Sequence, residues 1–201
     1  QMPSDRIDKD KLSHLNNDEI QQLLSLLDEF ADCFAEKPGL CTYVQHEINI
    51  SSEFKPRQSR AYKIPLVLQQ EVERQVTELL EMGFIEPSTS PQSSGVVCVT
   101  KPSGAIRLTC DFRYVNSFTS FDAFPMPNLE ELKHKVGSCH YITVCDARSG
   151  YWQLLVKPEH RWLTAFVTHH GLWQWIRMPF GLKCASQTFV RCIERILSPI
   201  R

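Results

Sequence analysis

An aspartate at the end of a short apolar segment constrains this chain more than any other feature. The segment Tyr141–Cys145 has the pattern of a buried strand, and it delivers Asp146 to a sharp turn at 147–150. A carboxylate that is presented in this way can hold a catalytic metal ion without supporting loops. Metal-assisted phosphoryl chemistry needs at least two carboxylates, yet only Glu159 and Glu194 are acidic beyond Asp146. The sequence therefore indicates half of a metal site.

Size and composition favour a globular chain. The 201 residues suffice for one domain or somewhat more, and 42% of them are hydrophobic. No apolar run approaches the roughly 20 residues of a membrane span, and the charged N-terminus lacks an apolar signal segment. We therefore expect an intracellular, cytoplasmic protein with no membrane partner. The eight cysteines form no Cys-x-x-Cys pair, so we interpret them as free thiols rather than zinc ligands.

Charge is distributed unevenly along the chain. Residues 1–40 contain nine acids and four bases, whereas the remaining residues contain 14 acids and 18 bases. The excess of positive charge after residue 40 suits a polyanionic partner, and it suits a mixed solvated surface equally well.

The N-terminal residues predict an amphipathic helix. Asn16 is a favourable N-cap, and Glu19 stands where it can complete a capping box. From Ile20 onward, apolar residues recur at helical spacing until the dipeptide Pro38-Gly39 ends the unit. We interpret residues 1–45 as an acidic helical connector.

Two later segments carry positive charge where a phosphate could bind. A β-hairpin is predicted from Val96–Thr100 and Ile106–Phe112. Lys101 at its tip and Arg107 near it could clamp a triphosphate, although a basic hairpin tip is also a common surface feature. The extended segment Phe54–Lys63 contains four basic residues and could follow a phosphate backbone or serve as a solvated linker.

Apolar patterns predict the remaining elements. Helices are expected over residues 65–83 and 129–136, a strand over 46–50, and a hairpin of strands 164–167 and 173–176 around a turn at 169–171. The last helix is expected to bury a stripe of Phe189, Ile193 and Leu197.

Five motifs follow one another in a characteristic order. In chain order they are the hairpin with Asp111-Phe112-Arg113-Tyr114-Val115-Asn116, then Phe124–Pro127, Asp146–Gln153, Thr164–Phe166 and Met178–Leu182. Their order resembles that of the first half of a reverse transcriptase, most closely in the gypsy-type branch of LTR retrotransposons. The agreement extends over residues 46–197, and five motifs in register are far more specific than one.

The resemblance implies an α+β fold, namely an incomplete right-hand polymerase with an N-terminal amphipathic helix. Residues 46–201 would be a truncated reverse transcriptase, with fingers at about 46–120 and 154–184 and palm at about 121–153 and 185–201. The family's partner aspartates stand in a Tyr-x-Asp-Asp hairpin, which these 201 residues do not contain. The thumb and any ribonuclease H domain are also expected to be absent.

The resemblance further implies a metal site and its ligands. Asp146 matches the family's first catalytic aspartate, a ligand of Mg²⁺ or Mn²⁺, and the main-chain carbonyl of Ala147 would hold the nucleotide-side ion. Two such ions would brace the attacking and leaving oxygens during nucleotidyl transfer. With one of the aspartates only, the site in this chain would be incomplete.

The resemblance also implies how a nucleotide would be bound. Lys101 and Arg107 match the residues that contact the triphosphate of the incoming nucleotide. Tyr151 takes the position whose ring crowds the sugar 2′-hydroxyl and so favours deoxynucleotides. Phe180 would lie beside the sugar, and Gly181 would allow a close approach.

Each of these residues also has a purely structural interpretation. Asp146 could cap the turn that follows it, Arg107 could pair with Asp111, and Tyr151 could be an ordinary core residue.

Two functions remain open on sequence alone, beside a third possibility, a degenerate copy that has no function. The first is a fragment of an RNA-directed DNA polymerase that binds an RNA or DNA template-primer and a dNTP but is inactive alone. The second is a non-catalytic remnant that binds nucleic acid or protein. An incomplete sheet has an open edge, so self-association or pairing with a longer polymerase chain is expected in either case.

Overall fold

The computed structural model describes residues 2–60, 64–100, 104, 106–140 and 142–200, and it divides the chain into two compact units, Gln1–Gly39 and Leu40–Arg201. The sequence analysis placed the start of the second domain at residue 46. The larger unit begins earlier, at Leu40, because the strand Cys41–His46 pairs within that unit. Within the described residues, no helix is both long enough and apolar enough to cross a lipid bilayer.

The smaller unit is helical. Its main helix, α1, spans Asn17–Glu29 and begins with the predicted capping box: the Asn16 side chain accepts a hydrogen bond from the Glu19 amide, and the Glu19 carboxylate accepts one from the Asn16 amide. The 3₁₀ helices of this unit are Pro3–Arg6, Lys9–Leu12 and Ala31–Phe34. The Asp28 carboxylate accepts hydrogen bonds from the Ser4 amide and hydroxyl, which ties α1 to the first 3₁₀ helix.

The larger unit combines helices with two sheets. Its helices are α2 (Leu66–Glu81), α3 (Arg113–Phe118), α4 (Leu129–Gly137) and α5 (Ala185–Leu197), with 3₁₀ helices at Gly150–Gln153, Pro158–Thr164 and Ser198–Ile200. Its strands are β1 (Cys41–His46), β2 (Ile85–Pro87), β3 (Ser94–Thr100), β4 (Ile106–Cys110), β5 (Leu154–Val156), β6 (Phe166–Thr168) and β7 (Gly171–Trp175). The strands β1 and β5 form a parallel two-stranded sheet, and the other strands form a mixed sheet of order β2-β7-β6-β3-β4.

The predicted hairpin is the β3-β4 pair of this mixed sheet. The two strands are antiparallel, with Val96 opposite Cys110 and Val99 opposite Arg107. Side chains alternate across a strand, so Cys110 enters the core while Arg107 stays exposed on the other face. β4 is an edge of the sheet, which leaves Arg107 accessible beside the neighbouring loops.

The core fills the space between α2, the mixed sheet and α5. Helix α2 buries Val72, Val76 and Leu79 at helical spacing, as its pattern predicts. Gly83, with φ +68°, ends the helix in a conformation that favours glycine. The largest fully buried side chains of the larger unit are those of Phe112, Phe166, Leu154, Leu163 and Met178.

The strand predicted before Asp146 is wrong for the residues that the structure describes. Ile142–Ala147 belong to neither helix nor strand, and Val144 is 87% exposed. A strand is stabilised by pairing its backbone with a neighbour. No described strand lies beside this segment, so its apolar pattern alone does not produce a strand.

The structure differs from two further predictions, one for a strand and one for the buried face of the last helix. The strand expected at 46–50 lies earlier, at β1, where it pairs with β5. Helix α5 buries Ala185, Thr188 and Cys192 rather than the predicted stripe, of which Leu197 is exposed. The line of buried residues is rotated because α5 packs against β1 through these smaller side chains.

Candidate active site

Three of the predicted site residues form one stack. The guanidinium carbon of Arg107 lies 4.6 Å from the centroid of the Phe180 ring. The ring of Tyr151 stacks on the ring of Phe180, with centroids 5.2 Å apart and an interplanar angle of 29°. Cation–π contacts of this kind hold a guanidinium by its face and leave its N–H edges available. The stack therefore presents a cationic donor next to a half-buried aromatic surface.

Gln75 fixes the strand on both sides of Arg107. Its amide nitrogen donates to the Ile106 carbonyl at 2.8 Å, and its amide oxygen accepts from the Leu108 amide at 3.1 Å. Because β4 is an edge strand, these two groups have no neighbouring strand on that side. Helix α2 thus supplies the missing partner through one side chain and sets the position from which Arg107 reaches Phe180.

Asn116 holds the loop that carries Phe180 and Gly181. Its amide nitrogen donates to the Gly181 carbonyl, and its amide oxygen accepts from the Lys183 amide, both at 2.8 Å. Gly181 has φ +91°, a backbone conformation that residues other than glycine rarely adopt. The ammonium of Lys183 donates to the Thr119 carbonyl at 2.6 Å, which ties the same loop to the end of α3.

The turn before Tyr151 is shaped by a close contact. Ser149 has φ 47°, and a Cβ on Gly150 would lie 2.8 Å from the Phe189 ring and 3.4 Å from Ala147 Cβ. Only glycine therefore lets Phe189 pack against this turn. The Phe189 and Tyr151 ring centroids are 5.6 Å apart, so α5 supports Tyr151 from the side.

Asp146 lies exposed immediately before this turn. Among the described residues, its carboxylate has no hydrogen-bond or ion-pair partner, so the alternative that it caps the turn is not observed. No group of three or more His, Cys, Asp or Glu side chains within the described ranges could hold a metal ion. The Asp146 carboxylate and the main-chain carbonyl of Ala147 are oxygen donors that suit Mg²⁺, but they are a partial ligand set.

The Asp111 carboxylate accepts hydrogen bonds from the Arg113 guanidinium at 2.7 and 2.8 Å. The Arg107 guanidinium contacts the Phe180 ring. Lys101, the other cation expected at the triphosphate, lies outside the described residues.

A cleft of about 860 Å³ opens beside Arg107. Its lining includes Phe180, Gly181, Ser149 and Trp152 together with residues of α2. On α2, Arg74 is paired with Glu71 and Glu78, and hydrogen bonds from Arg74 and Gln75 lower the pKa of Glu71 to about 2. The positive charge of Arg74 is thereby offset.

The basic segment predicted at 54–63 is described up to residue 60, and its main chain is held at several points. The Tyr114 hydroxyl donates to the Lys55 carbonyl at 2.8 Å, the Arg57 amide donates to Gln92 at 2.8 Å, and the Ser59 amide donates to the Ser93 carbonyl at 3.1 Å. The side chains of Lys55, Arg57 and Arg60 are exposed. Lys63 lies outside the described residues.

Sequence reasoning did not assign roles to Gln75 and Asn116. A signal for Gln75 was present, since it is a polar residue three positions after Val72 and four before Leu79, within the apolar stripe of α2. Asn116 lay inside a recognised motif, but its partner is 65 residues away along the chain. Only the folded chain shows which loop it holds.

Comparisons with known proteins agree on one family. A family model described as "Reverse transcriptase (RNA-dependent DNA polymerase)" matches residues 99–201. The Pol polyprotein of Drosophila melanogaster transposon 297 is 36% identical over 198 residues, which are 94% of this chain and 19% of that polyprotein. For transposon opus the identity is 37% over 190 residues, 90% of this chain and 19% of the polyprotein. The chain thus spans only a small part of these relatives.

Solved structures share the fold. The protease-reverse transcriptase of prototype foamy virus superposes with a TM-score of 0.77 at 25% identity, covering 93% of this chain and 26% of that one. A foamy viral protease-reverse transcriptase in complex with an RNA/DNA hybrid gives the same TM-score at 22% identity, over 92% of this chain and 25% of that one.

Proposed function

Because the chain belongs to the reverse transcriptase family, we propose that its larger unit carries the nucleotide-binding part of the active site of an RNA-directed DNA polymerase. One observation carries the proposal: Arg107, Phe180 and Tyr151 are stacked on one another. In this proposal Arg107 binds phosphate, the two aromatic rings form a wall of the nucleotide site, and Asp146, which precedes Tyr151 in the same motif, binds metal.

In this proposal the stack binds a dNTP. Arg107, held by one face on Phe180, donates hydrogen bonds from its N–H edge to triphosphate oxygens and offsets their charge. Lys101 serves the same triphosphate. The Tyr151 ring, fixed between Phe180 and Phe189, blocks the space that a 2′-hydroxyl needs, and Gly181 admits the sugar.

Asp146 and the Ala147 carbonyl hold divalent metal in this proposal, with Mg²⁺ or Mn²⁺ as the ion. When bound, such ions supply charge stabilisation at the attacking and leaving oxygens of nucleotidyl transfer. Two-ion chemistry needs further carboxylates, and the described residues offer no cluster of three ligands. We therefore expect a polypeptide of these 201 residues to bind nucleotide without incorporating it.

Nucleic acid is the second proposed ligand. A structural neighbour is a complex with an RNA/DNA hybrid, and the basic side chains of Lys55, Arg57 and Arg60 are exposed along a segment whose main chain is fixed. Contacts between these cations and phosphates release counterions, so binding should weaken as salt is raised. The same contacts would serve the alternative function, a remnant that binds nucleic acid without catalysis.

More polypeptide is proposed to cover the apolar residues around Asp146. Ile142 and Val144 are exposed, and so are Leu129 and Leu132 on α4. Exposed apolar surface of this kind favours association, either with another copy or with a longer polymerase chain. The relatives are about five times as long as this chain, since it covers 19% of them.

Nucleotide binding by the purified chain tests the central proposal. Trp152, whose ring lies 5.8 Å from Phe180, provides a fluorescence signal for a dNTP titration in Mg²⁺. We expect Arg107→Ala to weaken dNTP binding about tenfold or more, since a hydrogen bond to a charged group contributes roughly 1.5–3 kcal/mol. The matched control Arg195→Ala, on α5 beside Tyr43, should bind as the parent does.

Two results would contradict the proposal. Equal dNTP affinity in the parent chain and Arg107→Ala would remove Arg107 from the site. Magnesium-dependent incorporation of nucleotide by the 201-residue chain would show that Asp146 does not need further carboxylates.

A further inference from the structure

Two cysteines that are remote in sequence meet in the larger unit. The sulfur atoms of Cys41 in β1 and Cys192 in α5 lie 3.1 Å apart, across a sequence separation of 151 residues. A disulfide bond is roughly 2.05 Å long, so the two atoms are about 1 Å from bonding distance. No other two cysteine sulfurs of the described residues lie within hydrogen-bonding distance of each other.

The contact is held by the elements that carry the two residues. Helix α5 packs directly on β1, and two further contacts join them: His46 Nδ1 lies 2.8 Å from Thr188 Oγ1, and Arg195 donates to the Tyr43 carbonyl at 3.0 Å. Both thiols are therefore kept together by the fold rather than by chance rotation. Cys192 is 2% exposed, whereas Cys41 is only half-buried and can be reached from outside.

We propose that Cys41 and Cys192 are a thiol-disulfide modification site that is oxidised by low-molecular-weight disulfides such as glutathione disulfide. The Cys41 thiolate attacks one sulfur of the oxidant, which releases one glutathione thiolate and leaves a mixed disulfide on Cys41. The Cys192 thiolate then attacks the Cys41 sulfur and releases the second glutathione. Two protein thiols lose two protons and two electrons, and the oxidant becomes two glutathione thiols.

The order of attack follows from burial. Burial and the neighbouring Cys41 raise the pKa of the Cys192 thiol, so its thiolate is scarce at neutral pH and the buried sulfur acts second. We therefore expect closure to be slow, and its rate to rise about tenfold per pH unit between pH 7 and 9. The product joins β1 to α5 by a covalent bond and does not depend on the proposed polymerase function.

Mapping the disulfide in a simplified background tests the proposal. In a parent with Cys33→Ser, Cys139→Ser and Cys145→Ser, the exposed thiols are removed. The folded parent is incubated with glutathione disulfide, quenched with N-ethylmaleimide, digested without reduction and examined by mass spectrometry. We expect a linked peptide pair containing Cys41 and Cys192, and a midpoint of thermal unfolding raised by about 5–10 °C that a dithiol reductant reverses.

Two variants provide the controls. Cys41→Ser changes the half-buried partner and should abolish the linked peptides, and Cys192→Ala should leave glutathione attached to Cys41. If Cys192→Ala does not fold, Cys41→Ser alone decides, because its thermal midpoint should no longer respond to the oxidant. Disulfides that join other cysteines, or only glutathione adducts in the parent at pH 9, would overturn the proposal.

Discussion

His46 should make the larger unit sensitive to mild acid. It is 1% exposed, and its Nδ1 lies 2.8 Å from the Thr188 hydroxyl oxygen. That hydroxyl donates its hydrogen to the Cys184 carbonyl, so it accepts from His46, which places the imidazole proton on Nδ1. The other nitrogen, Nε2, is buried without a hydrogen-bond partner among the described residues. A second proton on Nε2 would therefore create an unpartnered buried charge.

The size of the effect follows from the pKa of His46. Burial, reinforced by the nearby His160, lowers this pKa from 6.5 to about 4. Well above pH 6.5 both the folded and the unfolded chain hold the neutral ring, and no stability is lost. Below pH 6.5 the His46 imidazole binds a proton in the unfolded chain but not in the folded chain. This difference lowers the free energy of unfolding by about 1.4 kcal/mol per pH unit. The loss reaches roughly 3 kcal/mol near pH 4, where the folded chain also becomes protonated.

Urea unfolding followed by tryptophan fluorescence measures this slope. Between pH 5 and 6.5 carboxylates contribute little, because their ordinary pKa values lie near 4. In this window the parent chain should lose about 1.5 kcal/mol. His46→Gln, which cannot titrate, should lose far less, whereas the exposed control His134→Gln should follow the parent. A slope in His46→Gln equal to that of the parent would refute the assignment to His46.

Three further substitutions test the site and its surroundings. Gln75→Leu removes two hydrogen bonds to β4 and should cost about 1–3 kcal/mol in urea unfolding, whereas Gln70→Leu on the exposed side of α2 should change stability by less than about 0.5 kcal/mol. Equal effects of the two would show that the contact with β4 is not the cause. Gly150→Ala places a methyl group 2.8 Å from the Phe189 ring and should cost about 1–3 kcal/mol, part of which Phe189→Leu in the same chain should restore; an unchanged thermal midpoint for Gly150→Ala would contradict the close contact. Val144→Asp alters a side chain that is 87% exposed, so it should leave the midpoint unchanged and reduce self-association in size-exclusion chromatography with light scattering, whereas oligomers that persist would place the association surface elsewhere.

Local signals explain the parts of the fold that the sequence predicted well. The Asn16 capping box involves residues three positions apart, and the β3-β4 hairpin joins strands separated by a short turn. Short-range geometry and side-chain alternation are enough to specify such elements. The α+β class and the reverse transcriptase resemblance, which depended on five motifs in register, are likewise confirmed.

The segment before Asp146 shows where such signals fail. Its apolar residues predicted a buried strand, yet Ile142 and Val144 are exposed and unpaired in the described residues. An apolar run indicates that a segment can fit a buried sheet, but a partner strand is needed for the hydrogen bonds. The sequence pattern can be read from one segment, whereas a strand forms only when a second segment pairs with it.

The stack of Arg107, Phe180 and Tyr151 could not be predicted from local patterns or motifs. Each residue was singled out by its motif, but what brings them together is a set of hydrogen bonds that no motif reveals: Gln75 fixes the strand of Arg107, and Asn116 holds the loop of Phe180. Both are neutral amides, each with one donor and one acceptor engaged on the backbone. An amide can bridge a carbonyl and an N–H at once without adding charge beside a site that already contains an arginine. Positioning by uncharged groups leaves the charge of Arg107 available for a phosphate ligand.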